Sequence, residues 1–264
     1  MPEPIASSFS LAGKVVLQFG GSGLLGRALV NDLAAAGATL IVASRDATAL
    51  APQAEALGAA RDRVHFDTVD LLREPSVRDL VARVGATHGR LDGMVYNAVN
   101  RPMTGGFSDD IAKWEESMRL NATGFFAAVR ACGDVMATAK RGSIVNIASH
   151  MGMVGMHPAL YDGPAAQPAP DYFFHKGGMV NLTRYLASHY GSSSVRVNVV
   201  SPGGIFNPAR PQQPAFLQRY APMTMLGRMA EAREIGGAVV FLLSDAASYI
   251  TGINLPVDGG YSAK

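Results

Sequence analysis

The stretch KVVLQFGGSGLLGRALVNDLAAAG, residues 14–37, decides how the fold is read. Lys14–Phe19 is a short β-type run that ends in Gly20-Gly21-Ser22-Gly23-Leu24-Leu25-Gly26. Leu24–Ala36 then shows helical spacing and stops at Gly37, a natural helix terminator. Glycines at 20, 23 and 26 let a backbone turn tightly and approach a pyrophosphate. The free N–H groups of the following helix would face the phosphates. Glycine-rich turns also occur for packing alone, but this one lies between a strand and a helix, which favours dinucleotide binding.

Outward from that stretch the chain keeps alternating. Strands are expected at Thr39–Ser44, Val64–Val69, Leu91–Asn97, Gly142–Ser149, Val195–Ser201 and Ile253–Val257. Helices are expected around Ala47–Leu57 and at Ser76–Thr87, Ile111–Lys140, Tyr172–Tyr190 and Ala232–Ser244, with one or two short ones in Pro208–Tyr220. Apolar strands alternating with helices predict an α/β fold: a parallel sheet covered by helices on both faces. At 264 residues and 48% hydrophobic, the chain can bury a large core, and no composition break marks a second domain. The expectation is a single domain over 1–264, with a cofactor half at about 10–150 and substrate loops at about 150–171 and 204–228.

Two further stretches carry chemistry. Tyr172-Phe173-Phe174-His175-Lys176 puts a phenol and an ammonium one helical turn apart on the same face. An ammonium favours a neighbouring phenolate, which makes a phenol usable for proton transfer near neutrality. Alone, such a pair is an ordinary helix face, so its context decides. The second strand ends Ala43-Ser44-Arg45-Asp46. In a dinucleotide fold this end faces the adenosine ribose, where an acid would bind both hydroxyls and repel a 2′-phosphate. Ser44 and Arg45 offer a hydroxyl and a guanidinium instead, which favours NADP(H) over NAD(H). Asp46 reads as the cap of the next helix. Arg45 stacking on the adenine or lying in solvent is the competing reading.

The order and spacing of GGSGLLG at 20–26, ASRD at 43–46, VD at 69–70, YNAV at 96–99 and LNATG at 120–124 are highly specific when taken together. So are those of IVNIAS at 144–149, YFFHK at 172–176, NVVSPGG at 198–204 and FLLSDAASYITGINLPVDGG at 241–260. With them the chain resembles the short-chain dehydrogenases/reductases in their compact single-domain form, from about residue 10 to its end. The resemblance implies a doubly wound, Rossmann-type three-layer α/β/α sandwich with a seven-stranded, mostly parallel sheet. It implies an NAD(P)-dependent oxidoreductase interconverting a ketone and a secondary alcohol, with a sugar or other polar hydroxy compound as substrate. Tyr172 would be the acid/base, Lys176 its activating partner and a ligand of the nicotinamide ribose, and Ser149 the holder of the substrate oxygen. Asn121 would sustain a water-linked proton relay, or make only a local backbone bond or kink.

The cofactor site so implied comprises Gly20, Ser22, Gly23, Leu24, Leu25, Ser44, Arg45, Asp70, Leu71, Asn97, Ala98, Tyr172, Lys176, Pro202, Gly203, Ile205 and Asn207. Asp70 is placed to reach the adenine edge, or is a turn residue. The chain departs from the family pattern at Leu24, where most single-domain members have glycine, which gives a spacing like that of the extended, sugar-nucleotide-modifying branch. Val99 replaces another glycine, and Asn207 stands where a threonine is common. Ser149 and Tyr172 are 23 positions apart, more than in most of the family. The added residues fall in His157–Asp171, with Pro158, Pro164, Pro168 and Pro170, so an ordered loop over the substrate cleft is expected. Candidate substrate residues are His150, His157, Tyr161 and Arg210, each of which is otherwise a surface residue.

Several classes are disfavoured. A net charge of +2 without a basic run argues against nucleic acid and anionic membrane as partners. The apolar runs, such as AVVFLL at 238–243, are too short to span a bilayer, and MPEPIASSFS at the start lacks the pattern of a signal peptide. A cytoplasmic protein is expected. The lone Cys132 and six scattered histidines predict no metal site. Apolar residues on several sides of 111–140 and 172–190 predict subunit contacts, and the family implies a homotetramer, with a dimer next. Two alternatives stand beside the oxidoreductase: a non-catalytic dinucleotide-binding regulator, and a dehydratase or epimerase that retains its cofactor.

Overall fold

β1 (Val15–Phe19) lies inside the sheet, at the point where the strand order reverses. β2 (Thr39–Ser44) and β3 (Val64–Thr68) lie to one side of it. To the other side lie β4 (Gly93–Tyr96), β5 (Gly142–Ile147), β6 (Val195–Pro202) and β7 (Asn254–Val257). The order is β3-β2-β1-β4-β5-β6-β7, and every neighbouring pair is parallel. The computed structural model describes residues 5–163 and 167–264. Pro164 of the proline-rich loop lies outside the described residues.

The strand period of two sorts side chains onto opposite faces. Val15, Leu17 and Phe19 of β1 join Met94 and Tyr96 of β4 in one core. That core is closed by α4 (Glu74–His88), α6 (Phe125–Thr138) and α7 (Pro170–Gly191). Val16 and Val95 face the other way, into a core closed by α2 (Leu24–Ala35) and α9 (Arg233–Leu243). The remaining helices are α1 (Ile5–Ser8), α3 (Ala51–Ala56), α5 (Ile111–Met118) and α8 (Pro214–Tyr220). Each fully buried aliphatic side chain stabilises the layers by about 1.5–3 kcal/mol. The chain leaves β1 toward β2 on one side and returns to β4 on the other, which opens a crevice at the carboxyl ends of β1 and β4.

α7 shows how the sequence meets this frame. Pro170 suits a first helical position, and Asp171 sits in the positive first turn. Lys176, Met179, Val180, Thr183, Ala187 and Tyr190 recur at helical spacing on the buried face. Phe174 and Tyr185 remain exposed. The expectation of one continuous helix over 111–140 is corrected. α5 passes into a π-helical turn, Arg119–Gly124, before α6 begins. The widened turn accommodates two demands. The Asn121 side chain bonds across to the loop after β4, and the backbone at Gly124 approaches Leu71 so closely that a Cβ would stand 2.7 Å from its carbonyl oxygen.

The turn after β1 is equally tight. Gly20 has φ +86°, and a Cβ there would meet the Ala98 backbone at 2.7 Å. At Gly26 a Cβ would come within 2.5 Å of the Gly20 carbonyl oxygen, whereas at Gly23 it would meet nothing within 4 Å. Gly26→Ala should therefore lower stability to urea by about 1–3 kcal/mol, while Gly23→Ala, which clashes with nothing and loses only the N-cap preference for glycine, should cost less, no more than about 1 kcal/mol. Equal midpoints for the two variants would contradict this account of the turn.

Candidate active site

The crevice is an open cleft of about 920 Å³ lined by the ends of β1, β2, β4, β5 and β6. On its first wall is the glycine turn. The fully buried Gln18 donates from Nε2 to the Gly20 and Gly26 carbonyls at 3.3 and 2.9 Å. Asn97 Nδ2 donates to the same Gly20 carbonyl at 2.9 Å, and Arg27 Nε holds the Ser22 carbonyl at 2.9 Å. Gly23 is the N-cap of α2 and supplies no side chain, so the first N–H groups of a 12-residue helix open toward the cleft. A cradle of bare backbone with no Cβ at Gly23 fits a pyrophosphate, the central group of a dinucleotide.

The end of β2 supplies Ser44 and Arg45 to the same cleft. The Ser44 hydroxyl donates to the Asp46 carbonyl at 2.6 Å. Asp46 Oδ1 accepts from both the N–H and the hydroxyl of Thr48, at 2.9 and 2.6 Å, as a cap of the helical segment that follows. Arg45 is exposed, and among the described residues it has no hydrogen-bond or ion-pair partner. Asp70 Oδ1 accepts the Leu72 N–H at 3.0 Å as a turn residue; it lies outside the cleft lining, as does Asn207, whose Oδ1 accepts the Ala209 N–H at 3.1 Å. The other expected cofactor residues, from Gly20 to Ile205, all line the cleft.

The opposite wall joins Ser149, Tyr172 and Lys176. Ser149 follows β5 in extended backbone, and its Oγ accepts the Met151 N–H at 3.2 Å, which leaves its own proton uncommitted. Lys176 is 3% exposed. Its Nζ donates to the Ile147 carbonyl at 2.6 Å and lies 5.7 Å from the Tyr172 ring centroid. Burial, and then the nearby Arg101 guanidinium, push Lys176 from its ordinary 10.5 down to about 7. Arg101 itself lies over the Tyr172 ring, with Cζ 4.2 Å from the centroid.

Asn121 stands behind this wall, buried and outside the cleft lining. Its Oδ1 accepts the Asn100 N–H at 2.9 Å, and its Nδ2 donates to the Asn100 carbonyl at 2.7 Å and to Ser117 Oγ at 2.9 Å. Ser117 donates in turn to the buried carboxylate of Asp171, the residue before Tyr172. Arg101, Ser117 and Asp171 were not among the residues expected from sequence. Only the cation next to the turn after the fourth strand carried a signal, because the Ser117–Asp171 pair spans 54 positions. His175, beside Lys176, is buried with both ring nitrogens unpartnered among the described residues. Burial, then Lys176 and Arg101, lower it to about 3, so it packs edge-on against the Tyr172 ring as a neutral aromatic, 5.3 Å between centroids.

The expected substrate residues separate. His150 lines the cleft, but its Nδ1 lies 3.2 Å from the Pro202 carbonyl oxygen and its ring meets Tyr261 edge-on at 4.7 Å. Burial lowers its pKa, and the contacts with Pro202 and Asp258 oppose this. His157, Tyr161 and Arg210 lie outside the lining. The loop carrying the first two is tied to α8: Arg219 donates to the Leu160 carbonyl at 3.1 Å and pairs with Asp162 at 3.0 Å, and Tyr161 packs on Phe216 at 6.0 Å. Gln167, Pro168 and Ala169 at its far end do line the cleft. Among the described residues no group of three or more His, Cys, Asp or Glu could hold a metal ion, and no helix is long and apolar enough to cross a membrane.

Known proteins are similar to this chain over nearly its full length. The family described as enoyl-(acyl carrier protein) reductase, a branch of the short-chain dehydrogenases/reductases, matches residues 22–262. The galactitol 2-dehydrogenase (L-tagatose-forming) of Cereibacter sphaeroides is 33% identical over 261 residues, covering 96% of this chain and 97% of that protein. A gluconate 5-dehydrogenase from Burkholderia cenocepacia J2315, solved in complex with NADP and tartrate, superposes with a TM-score of 0.86 at 25% identity, covering 98% of each chain. A short-chain dehydrogenase from Leptospira borgpetersenii serovar Hardjo-bovis with bound NAD+ gives 0.85 at 26% identity, covering 97% of this chain and 95% of that one. With a full-length family match, a relative of this identity and the all-parallel seven-stranded sheet, the chain belongs to the short-chain dehydrogenase/reductase family of oxidoreductases.

Proposed function

We propose that the protein is an NADP(H)-preferring dehydrogenase/reductase that interconverts a ketone and a secondary alcohol on a polar hydroxylated compound, with Tyr172 as the acid/base. The observation that carries this reading is the convergence of Ser149, Tyr172 and the buried Lys176 on the cleft that also holds the glycine turn. A bound reduced nicotinamide supplies the hydride. The rest falls to the chain. In the reducing direction the Tyr172 hydroxyl gives its proton to the carbonyl oxygen as that oxygen gains negative charge. The uncommitted Ser149 proton donates a hydrogen bond to the same oxygen and holds it in register. Lys176, titrating near neutrality, can receive a proton from solvent and pass it toward Tyr172. Asn121 has both N–H groups and one Oδ1 lone pair engaged, so any relay through it uses the remaining lone pair.

The NADP(H) preference is supported by Arg45, a guanidinium at the ribose end of the cleft without an acidic partner, and by Asp46, which is turned into the Thr48 cap. The relatives' names, a galactitol dehydrogenase and a gluconate dehydrogenase, support a hydroxylated substrate. Assembly with further copies, in the order tetramer then dimer, is supported by exposed Ile111, Phe126, Phe174, Tyr185 and Tyr249. A cytoplasmic setting fits the lack of a long apolar helix among the described residues.

Three outcomes test this reading. Tyr172→Phe should abolish turnover, by a factor of roughly 10²–10⁴, and retain cofactor binding; near-normal activity would remove Tyr172 from the acid/base role. Arg45→Ala should weaken NADPH binding by about 10- to 100-fold and NADH binding far less, and equal weakening would sink the NADP(H) preference. The third concerns pH. Native Lys176 releases its proton near pH 7 and the unfolded side chain near 10.5, so in that window the unfolded chain binds one proton more. Stability of the cofactor-free protein should rise with pH from about 7 to 10.5, by up to about 1.4 kcal/mol per unit, and level off below 7, where both states hold the proton. Urea titrations across the window should show this rise in the wild type and not in Lys176→Met; parallel profiles would mean that the buried ammonium stays charged.

A further inference from the structure

We propose that Arg101 is the anchor for a carboxylate on the substrate, so that the compounds turned over are hydroxy acids and their oxo acids. This deepens the dehydrogenase reading and rests on it for the position of the reacting carbonyl beside Tyr172. The first support is placement. Asn100 is gripped at both backbone N–H and carbonyl by the Asn121 amide, and its side chain donates to Glu116 at 3.1 Å. Pro102 follows, restricting Arg101 to extended backbone. Arg101 is thereby held against the catalytic wall despite being an exposed residue on a loop.

The second support is unspent bonding capacity. The contact with Tyr172, Cζ 4.2 Å from the ring centroid, engages the charge of the guanidinium and uses none of its five N–H donors in a hydrogen bond. Among the described residues Arg101 forms no hydrogen bond or ion pair. The acid closest to hand in the cleft lining, Asp171, is 2% exposed and already accepts from Ser117. Arg45, the other exposed cation of the lining, lies at the end of β2 in the cofactor half, so Arg101 is the open cation on the substrate half. Its charge is felt at the chemistry, since it helps to lower both Lys176 and His175. A planar oxyanion docking on the guanidinium N–H fork would form a bidentate, charge-assisted pair within reach of Tyr172. The amide, ester or methyl counterpart would leave the fork unmatched.

Arg210, the cation expected from sequence to meet substrate, is exposed and outside the cleft lining, so it serves as the rival. The decisive experiment measures kcat/KM for 3- and 4-oxocyclohexanecarboxylate and for 3- and 4-methylcyclohexanone, with NADPH and NADH, in the wild type, Arg101→Gln, Arg101→Lys and Arg210→Gln. The acid-to-neutral ratio should fall by about 10- to 100-fold in Arg101→Gln, chiefly through KM of the acid, and be partly kept in Arg101→Lys. An unchanged ratio in Arg101→Gln, or a collapse in Arg210→Gln instead, overturns the proposal. Calorimetry with cyclohexanecarboxylate and cyclohexanecarboxamide on the cofactor-loaded protein separates this from the dehydrogenase reading. Carboxylate binding that depends on Arg101 without turnover of any carbonyl keeps the anchor and counts against the reductase. Turnover of the neutral ketones with no carboxylate preference in either readout keeps the reductase and removes the anchor.

Discussion

The carbonyl of Gly20 accepts hydrogen bonds from two side-chain amides, Gln18 Nε2 beneath it and Asn97 Nδ2 beside it. One belongs to β1 itself, and the other follows β4, the strand across the crevice. The carbonyl can be reached from both sides only because Gly20 turns at positive φ and no Cβ separates it from Ala98. Gln18 goes on to the Gly26 carbonyl and so locks the start of α2 to the same point. A buried amide that satisfies two backbone acceptors is strongly destabilising to remove, since each acceptor would be left unpaired away from water. The cleft, its phosphate cradle and the spacing between β1 and β4 all follow from this one junction.

A second junction does for the chemistry what the first does for the cofactor wall. Asn121 sits in a π-helical turn, a costly local geometry, and spends its amide on the Asn100 backbone and on Ser117. Ser117 reaches Asp171 at the head of α7, so the loop after β4, the helix pair α5–α6 and the helix carrying Tyr172 are tied through three side chains. Asp171 also lies in the positive first turn of α7, where a carboxylate is favoured. Lys176, one turn beyond Tyr172, is then buried on the Ile147 carbonyl, and burial works against its charge. The result is a buried lysine lowered to about 7, beside a frame of buried hydrogen bonds that ends on the Asp171 carboxylate.

The two long loops over the cleft are of different character from the walls. The segment before α7 is fastened to α8 by Arg219 and by the Tyr161–Phe216 contact, and Gly204 donates to the Tyr220 hydroxyl at 2.7 Å. Tyr220 stacks on Tyr261, which meets His150. An aromatic ladder from the C-terminal segment thus reaches the residue next to Ser149. This is why His150, which has the chemistry of a substrate ligand, is instead engaged with the Pro202 carbonyl.

What the sequence determined by itself is what depends on local spacing. Glycines at 20, 23 and 26 between a strand and a helix, a phenol and an amine four apart, and apolar runs of strand length alternating with amphipathic helices each carry their own geometry. The parallel sheet, the glycine cradle and the Tyr172–Lys176 pair were legible for that reason, and Ser149 was legible through the family resemblance. The tertiary structure decided what depends on approach between distant segments. The break of the long helix at Asn121 answers to a loop 21 residues upstream, and the Ser117–Asp171 contact joins positions 54 apart. His157, Tyr161 and Arg210 lie outside the cleft lining and Arg101 lies within it, on a loop whose Asn100 is held by Asn121. A side chain's chemistry is written in the sequence; the direction it faces is set by backbone that long-range hydrogen bonds hold in place.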